Sequence, residues 1–298
     1  MSQATDQTEG GGYTPKNDRK VIIVTDGTSS MTPEMGASYG VHVVPVHILF
    51  GTKAYRTGID IDSGLFYQLL RSSKQLPTTA QPSVMDFIQV YTELAQQEKP
   101  IVSIHASVKL TATVESAMAA SKELPELSIH PIDTKSISVG LALMVTAAAR
   151  AADAGKSAEE IVQLVGDLIP KMNIIFTVDT LEYLQRGGRI GGATALIGAA
   201  LSIKPVLHVQ DGLVAPLEKP RTRKRAVRRL LELMEESLVS GQTVHAAVLH
   251  CIAPEDAQAL AEEIQEQFSC AEMIVMEAGP IIGTHAGPGT LGVAFYGE

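Results

Sequence analysis

Two short polar motifs lie roughly two hundred residues apart in this chain: Pro77-Thr78-Thr79-Ala80-Gln81-Pro82-Ser83 and Gly283-Thr284-His285-Ala286-Gly287-Pro288-Gly289. Each joins hydroxyl or imidazole donors to Pro and Gly that set the backbone, and neither contains a carboxylate. Such donors can hold a carboxylate or phosphate without a competing negative charge beside it. Acid–base hydrolysis would need other groups. The chain has no His-Glu-x-x-His, nucleotide phosphate loop or zinc-ligand spacing, so neither a metal nor a cofactor is expected.

The elements that must position these motifs follow a repeating order. Lys20–Asp26 reads as a buried strand, with Gly27-Thr28-Ser29-Ser30 after it, and ligands in open α/β sheets collect at such strand ends. Val41–Phe50 reads as the next strand. Helical patterns cover 62–72 and 83–97, the second opened by Pro82 and a Ser83 cap. Ile101–His105 is another strand, running into Ser107 and Thr111, with a small-residue helix from Thr113. Ser128–Asp133 and the helices of 140–154 and 158–169 follow. Strand, polar turn and helix in alternation predict an α/β protein with a mostly parallel sheet.

A second block starts near Asn173. It holds Arg186-Gly187-Gly188-Arg189, an apolar stretch from Ile190 to Ile203, the basic run Arg221–Arg225, and strand–helix–strand patterns to the end. The expected division is a disordered tail over 1–19, an N-terminal Rossmann-like α/β domain over 20–170 and a C-terminal α/β domain over 171–298.

Composition narrows the class. Hydrophobic residues make up 45%, aromatics only 4%, and the net charge is −9 with no Trp. Base stacking and phosphate binding along a nucleic acid need exposed aromatics and basic charge, so no nucleic-acid partner is expected. The two cysteines, Cys251 and Cys270, have neither disulfide-framework nor zinc spacing. The polar first twenty residues do not read as a secretory signal, and the Ile190–Ile203 stretch is shorter than the ~20 residues that span a bilayer. A cytoplasmic protein is the expectation.

Five motifs occur in order: Val-Thr-Asp26-Gly-Thr-Ser, Pro-Thr-Thr-x-Gln-Pro-Ser, Leu-Glu-Tyr-Leu-x-Arg-Gly-Gly-Arg-Ile, Ile-Lys204-Pro and Gly-Thr-His-x-Gly-Pro-Gly. In them the chain, from about residue 20 onward, resembles the DegV family of the fatty-acid-binding FakB type. The resemblance implies two α/β domains with a long-chain fatty acid between them. It also implies a separate fatty acid kinase that phosphorylates the bound acid. Carried over residue by residue, head-group contacts fall on Thr79, on Ser107 or Thr111, and on His285, with Arg189 as a candidate neighbour. The chain departs from the family where Thr111-Ala112-Thr113 replaces a usual Ser-Gly-Thr, and where Ala80 stands for a common Ser.

The residues allow that chemistry. Taking a C16 tail out of water contributes ~0.8 kcal/mol per methylene, on the order of 10 kcal/mol, so the tail supplies affinity and the head group supplies selection. Small and branched aliphatics for a tunnel occur in 190–203 and 140–152, where they could equally be ordinary core helices. A buried carboxylate needs donors, which Thr79, Thr111 and His285 offer. Other readings stay open at this point. His285 could be a turn histidine, Thr79 a helix cap, and Thr28 a cleft residue or a turn former. Arg186 fits a tight turn, while Arg189 fits a turn or an anion clamp. The run Arg221–Arg225 could be solvated, or could face an acidic partner or a membrane surface during lipid exchange. The rival function is an enzyme, a phosphatase or acyl/phosphoryl transferase, that uses His285 as nucleophile or base; a lipid-bound sensor or scaffold is a third.

Overall fold

The computed structural model describes residues 13–16, 18–73, 75–199 and 202–298. The N-terminal half runs β1 (Ile22–Asp26), α1 (Pro33–Ser38), β2 (Val41–Val44), β3 (His47–Phe50), β4 (Lys53–Arg56), α2 (Ser63–Ser72), β5 (Thr78–Ala80), α3 (Val84–Ala95), β6 (Ile101–His105), α4 (Thr113–Glu123), β7 (Ile129–Asp133), α5 (Ser138–Asp153) and α6 (Ala158–Leu168). The C-terminal half runs β8 (Asn173–Thr177), α7 (Glu182–Arg186), β9 (Val206–Gln210), β10 (Leu213–Glu218), α8 (Arg223–Ser237), β11 (Thr243–His250), α9 (Pro254–Gln267), β12 (Ser269–Glu277), α10 (Pro280–Ala286) and β13 (Leu291–Gly297). A 3-10 stretch, Gly191–Ala199, occupies the described part of the apolar segment expected to line a tunnel; Ala200 and Leu201 lie outside the described residues.

Two sheets organise these halves. In the first, four parallel strands take the order β2-β1-β6-β7. Its central strand β1 is buried at every position, as a parallel strand covered on both faces must be. In the second, six strands take the order β10-β9-β8-β13-β11-β12, and every pair except β11–β12 is antiparallel. The expected mostly parallel sheet is therefore correct for the N-terminal half, whereas the C-terminal sheet is mixed. The expected single strand over 41–50 also divides. Pro45 lacks an N–H for the ladder, so β2 stays in the parallel sheet while β3 joins β4 and β5 in a small antiparallel sheet.

Helix α5 lies between the two sheets, packed on β1 and β6 on one side and on β11 and β13 on the other. A helix covered on both sides needs an apolar surface all round and small side chains for close approach. Its Ala-rich sequence supplies both, and its residues from Ser138 to Val145 are all buried. Near its end, Asp153 holds the described part of the stretch expected to be a disordered tail. It accepts hydrogen bonds from the Tyr13 hydroxyl, the Lys16 N–H and the Arg19 guanidinium. Residues 1–12 lie outside the described residues.

Candidate functional site

Thr79 sits in the middle of β5, paired with Ile48 of β3. It is not a helix cap; that role belongs to Ser83, which exchanges hydrogen bonds with Asp86 at the start of α3. His285 lies on α10, a short helix that Gly287 ends with φ +79, a conformation that costs Gly little. Helix α10 packs against α2, β3 and β5 of the other half. This docking brings Thr79 Oγ1 to 3.0 Å from His285 Nε2.

The electrostatics of His285 fix the direction of that bond. Burial, and then the neighbouring charge of Arg189, push its pKa down to about 4, so the ring is neutral near pH 7. Its Nδ1 is buried without a partner among the described residues and lies against Gly187, where a Cβ would stand 2.3 Å from it. A bare acceptor is more readily tolerated in a buried position than an orphaned N–H, which places the proton on Nε2. Nε2–H then donates to Thr79 Oγ1, and the Thr79 hydroxyl proton is left to point at a ligand oxygen.

Thr79 and His285 border a cavity between the two halves, with about 960 Å³ of atom-free space including solvent at its mouth. Thr28, Thr111 and Arg189 border it as well, and among the described residues no carboxylate or lysine does. Thr111 Oγ1 shares a proton with Thr113 Oγ1 at 2.8 Å. Arg189 donates from Nε to the Leu110 carbonyl and from Nη1 to the Gly187 carbonyl, which leaves Nη2 unengaged among the described residues. Gln81, Ser138 and Thr290 add further polar groups to the wall, and most of the other lining residues are apolar, with Ile174, Phe176, Val209, Val214 and Leu249 supplied by the mixed sheet. A lining of apolar side chains with a few polar donors suits a ligand that carries both an apolar tail and an acidic group.

Two expectations are corrected by position. Ser107 does not reach the cavity: its hydroxyl donates to the Gly212 carbonyl at 2.8 Å, tying the β6–α4 loop to the β9–β10 hairpin. Of the two competing hydroxyls, only Thr111 faces the ligand space. The basic run is not a free patch either. Arg223 donates to the Gly289 carbonyl and pairs with Asp179 and Asp256, and Arg225 pairs with Glu232 at 2.9 Å. Arg186 keeps the solvated role expected for a turn, paired with Glu182 at the surface.

Sequence reasoning missed the support behind Thr28. Asp26 accepts the N–H and the hydroxyl of Thr28 on Oδ1 and faces His105 Nδ1 at 2.6 Å on Oδ2. His105 Nε2 lies 2.7 Å from Ser103 Oγ, which also accepts from the Tyr91 hydroxyl. Asp26, Ser103, His105 and Tyr91 are each 0% exposed. Donors and acceptors close in one direction, Tyr91 to Ser103 to His105 to Asp26. The spacing Ser103-x-His105 on a strand puts both on one face, the signal that could have revealed it. Among the described residues no cluster of three or more His, Cys, Asp or Glu side chains could hold a metal ion. No helix among them is long and apolar enough to cross a membrane.

The model of a family described as uncharacterised proteins of the DegV family matches residues 20–298. A DegV domain-containing protein of Halalkalibacterium halodurans is 36% identical over 94% of this chain and 99% of its own length. Among solved structures, a fatty-acid-binding DegV family protein from Thermus thermophilus superposes with a TM-score of 0.88 at 33% identity, over 94% of this chain and all of the other. DegV of Bacillus subtilis, described as a fatty acid binding protein, gives 0.86 at 32% identity over the same shares.

Proposed function

We propose the following role for this chain, which belongs to the DegV family: it holds one long-chain fatty acid between its halves and presents the carboxylate to a separate fatty acid kinase. The tail would lie over the mixed sheet, and the carboxylate would take donors from Thr79, Thr111 and Arg189, with His285 orienting Thr79. The observation that carries this reading is one cavity, bordered by both halves, whose lining joins Thr79, Thr111, Arg189 and His285 to a majority of apolar side chains and, among the described residues, holds no acid. The fatty-acid-binding structures from Thermus thermophilus and Bacillus subtilis, at 33% and 32% identity, support it.

Phosphorylation makes a carboxylate oxygen the nucleophile toward a phosphoryl donor. Neutral donors and one arginine hold that oxygen in place while leaving it ionised and reactive. The chain has no phosphate loop for a nucleotide, so the phosphoryl donor belongs to the partner. Transient contact with a membrane during lipid exchange completes the proposal. It would use Arg221 and Lys224, the exposed members of the basic run that make no ion pair among the described residues. Charge reversal at these two positions is expected to slow transfer of fatty acid from anionic vesicles and to leave the equilibrium affinity unchanged.

The enzymatic reading of His285 is less well supported. A ring held near pKa 4 is a weak base at neutral pH, and no carboxylate among the described residues orients it. The decisive experiment replaces Thr79 and His285 together by Ala and measures both steps. Kinase-dependent phosphorylation of the bound acid should fall at least about tenfold further than tail affinity, because most binding free energy comes from the tail. Equal losses in both would show the head-group site to be misassigned.

A further inference from the structure

We infer that the N-terminus of α5 is a second oxyanion subsite of the same cavity, one that takes the phosphoryl oxygens of a lipid head group. The inference rests on the reading of the cavity as a lipid site and extends it to the phosphorylated form of the lipid. The first N–H groups of a helix have no partner within it. In α5 the earliest such bonds run from Gly140 and Leu141 to the Ile137 carbonyl. Ile137 offers no side-chain cap, and no protein acceptor meets the N–H of Ser138 or Val139 among the described residues. Ile137, Ser138 and Val139 all border the cavity. Ser138 holds φ +56 ahead of a right-handed helical residue, a sequence of conformations that makes successive N–H groups converge on an anion.

A second observation points to the same place. Ser136 is 2% exposed, and its Oγ has no hydrogen-bond partner among the described residues. That oxygen faces the first turn of α5, 2.5 Å from where a Cβ on Gly140 would stand. The Ile174 methyl, part of the cavity wall, is 2.6 Å from the same point. A serine so placed can cap its helix; here its hydroxyl is left unengaged in the same turn that holds the free N–H groups of Ser138 and Val139. Gly140 leaves it that room, since any side chain there would displace both Ser136 and Ile174. The Ser138 hydroxyl, paired with Ser30 at 3.0 Å, adds a further polar group.

Charge agrees with this assignment. Among the described residues Arg189 is the only arginine or lysine bordering the cavity, and no acid borders it. Asp26, behind Thr28, is turned away, its oxygens taken by Thr28 and His105. A carboxylate has two oxygens, which Thr79, Thr111 and Arg189 can satisfy. A phosphoryl group brings three more strong acceptors and further negative charge, and the N-terminus of α5 with Ser136 supplies the additional donors.

The test compares hexadecanoate, hexadecyl phosphate and inorganic phosphate on the intact protein. With hexadecyl phosphate, the backbone amide protons of Ser138 and Val139 are expected to move downfield in nitrogen–proton correlation spectra. With hexadecanoate they should stay near their unliganded positions. In Ser136→Ala, affinity for hexadecyl phosphate should fall about tenfold, the cost of a lost hydrogen bond to a charged group; affinity for hexadecanoate should stay within about twofold. The subsite is overturned if hexadecanoate binds and the two amides respond equally to both lipids, or if Ser136→Ala weakens both equally or neither. An equal amide response to inorganic phosphate alone would overturn the assignment to a lipid head group. Failure of hexadecanoate itself to bind would instead overturn the lipid reading beneath it.

Discussion

Thr79 and His285, 206 positions apart in sequence, meet at 3.0 Å through Oγ1 and Nε2, and the contact crosses between the two halves of the molecule. It turns the Thr79 hydroxyl into a donor aimed at the cavity. Thr79→Val keeps the shape and removes that donor. We expect the Kd for hexadecanoate to rise about tenfold, the value of one hydrogen bond to a charged group. The Kd for hexadecanol should change less than about twofold. Calorimetric titration of both ligands checks this, and equal weakening would mean that Thr79 does not read the acid.

Gly187 is the floor under the imidazole. A methyl at this position would stand 2.3 Å from His285 Nδ1 and 3.0 Å from the Tyr183 carbonyl. The ring must then shift, and the shift breaks its bond to Thr79. Gly187→Ala is expected to reproduce the hexadecanoate defect of Thr79→Val while leaving hexadecanol binding intact. A variant that binds both ligands like the parent would show that the ring has room to spare.

Much of this arrangement was legible in the sequence, and the remainder was not for identifiable reasons. The motif residues Thr79, Thr111, Arg189 and His285 all border one cavity. Ser107 was indistinguishable from Thr111 by type, because which hydroxyl faces the ligand depends on the distant Gly212 carbonyl that Ser107 bonds. The mixed order of the C-terminal sheet was hidden because alternating strands and helices look alike whether β13 returns antiparallel or parallel. Arg223 looked free because its partners, Asp179, Asp256 and the Gly289 carbonyl, are brought to it only by tertiary folding.

Asp26 anchors a fully buried hydrogen-bonded chain, so loss of one of its two acceptor oxygens should be costly. Asp26→Asn keeps the volume but places an NH2 group where a carboxylate oxygen now accepts. One carboxylate oxygen receives the Thr28 donors and the other faces His105, so the amide must break one set. We expect a loss of about 2 kcal/mol, the scale of a buried hydrogen-bonding group left unsatisfied. Urea denaturation checks it; an effect below about 1 kcal/mol would mean that the chain is dispensable.

The pH dependence follows from His285. Its folded pKa of about 4 lies below the ordinary value of 6.5. Between those values the unfolded chain binds the proton and the folded chain does not, so this contribution to stability is present above about pH 6.5 and lost as pH falls toward 4. His285→Gln cannot titrate, and its stability should fall less steeply from pH 7 to pH 4.5 than the parent's. His245 acts with the opposite sign: its hydrogen bond to Glu272 raises its pKa, so its contribution is present at low pH and lost as pH rises through the raised value. A His285→Gln curve parallel to the parent's would contradict the neutral, buried imidazole.

The central claim is that the space between the halves encloses a fatty acid. Native mass spectrometry of the protein as purified from cells, followed by solvent extraction and lipid analysis, tests it most directly. The account predicts one long-chain fatty acid per chain, lost on denaturation and diminished in a variant with Gly292→Phe, which fills the cavity wall beside Phe176. A mass equal to the polypeptide alone, together with no uptake of added hexadecanoate, would contradict it.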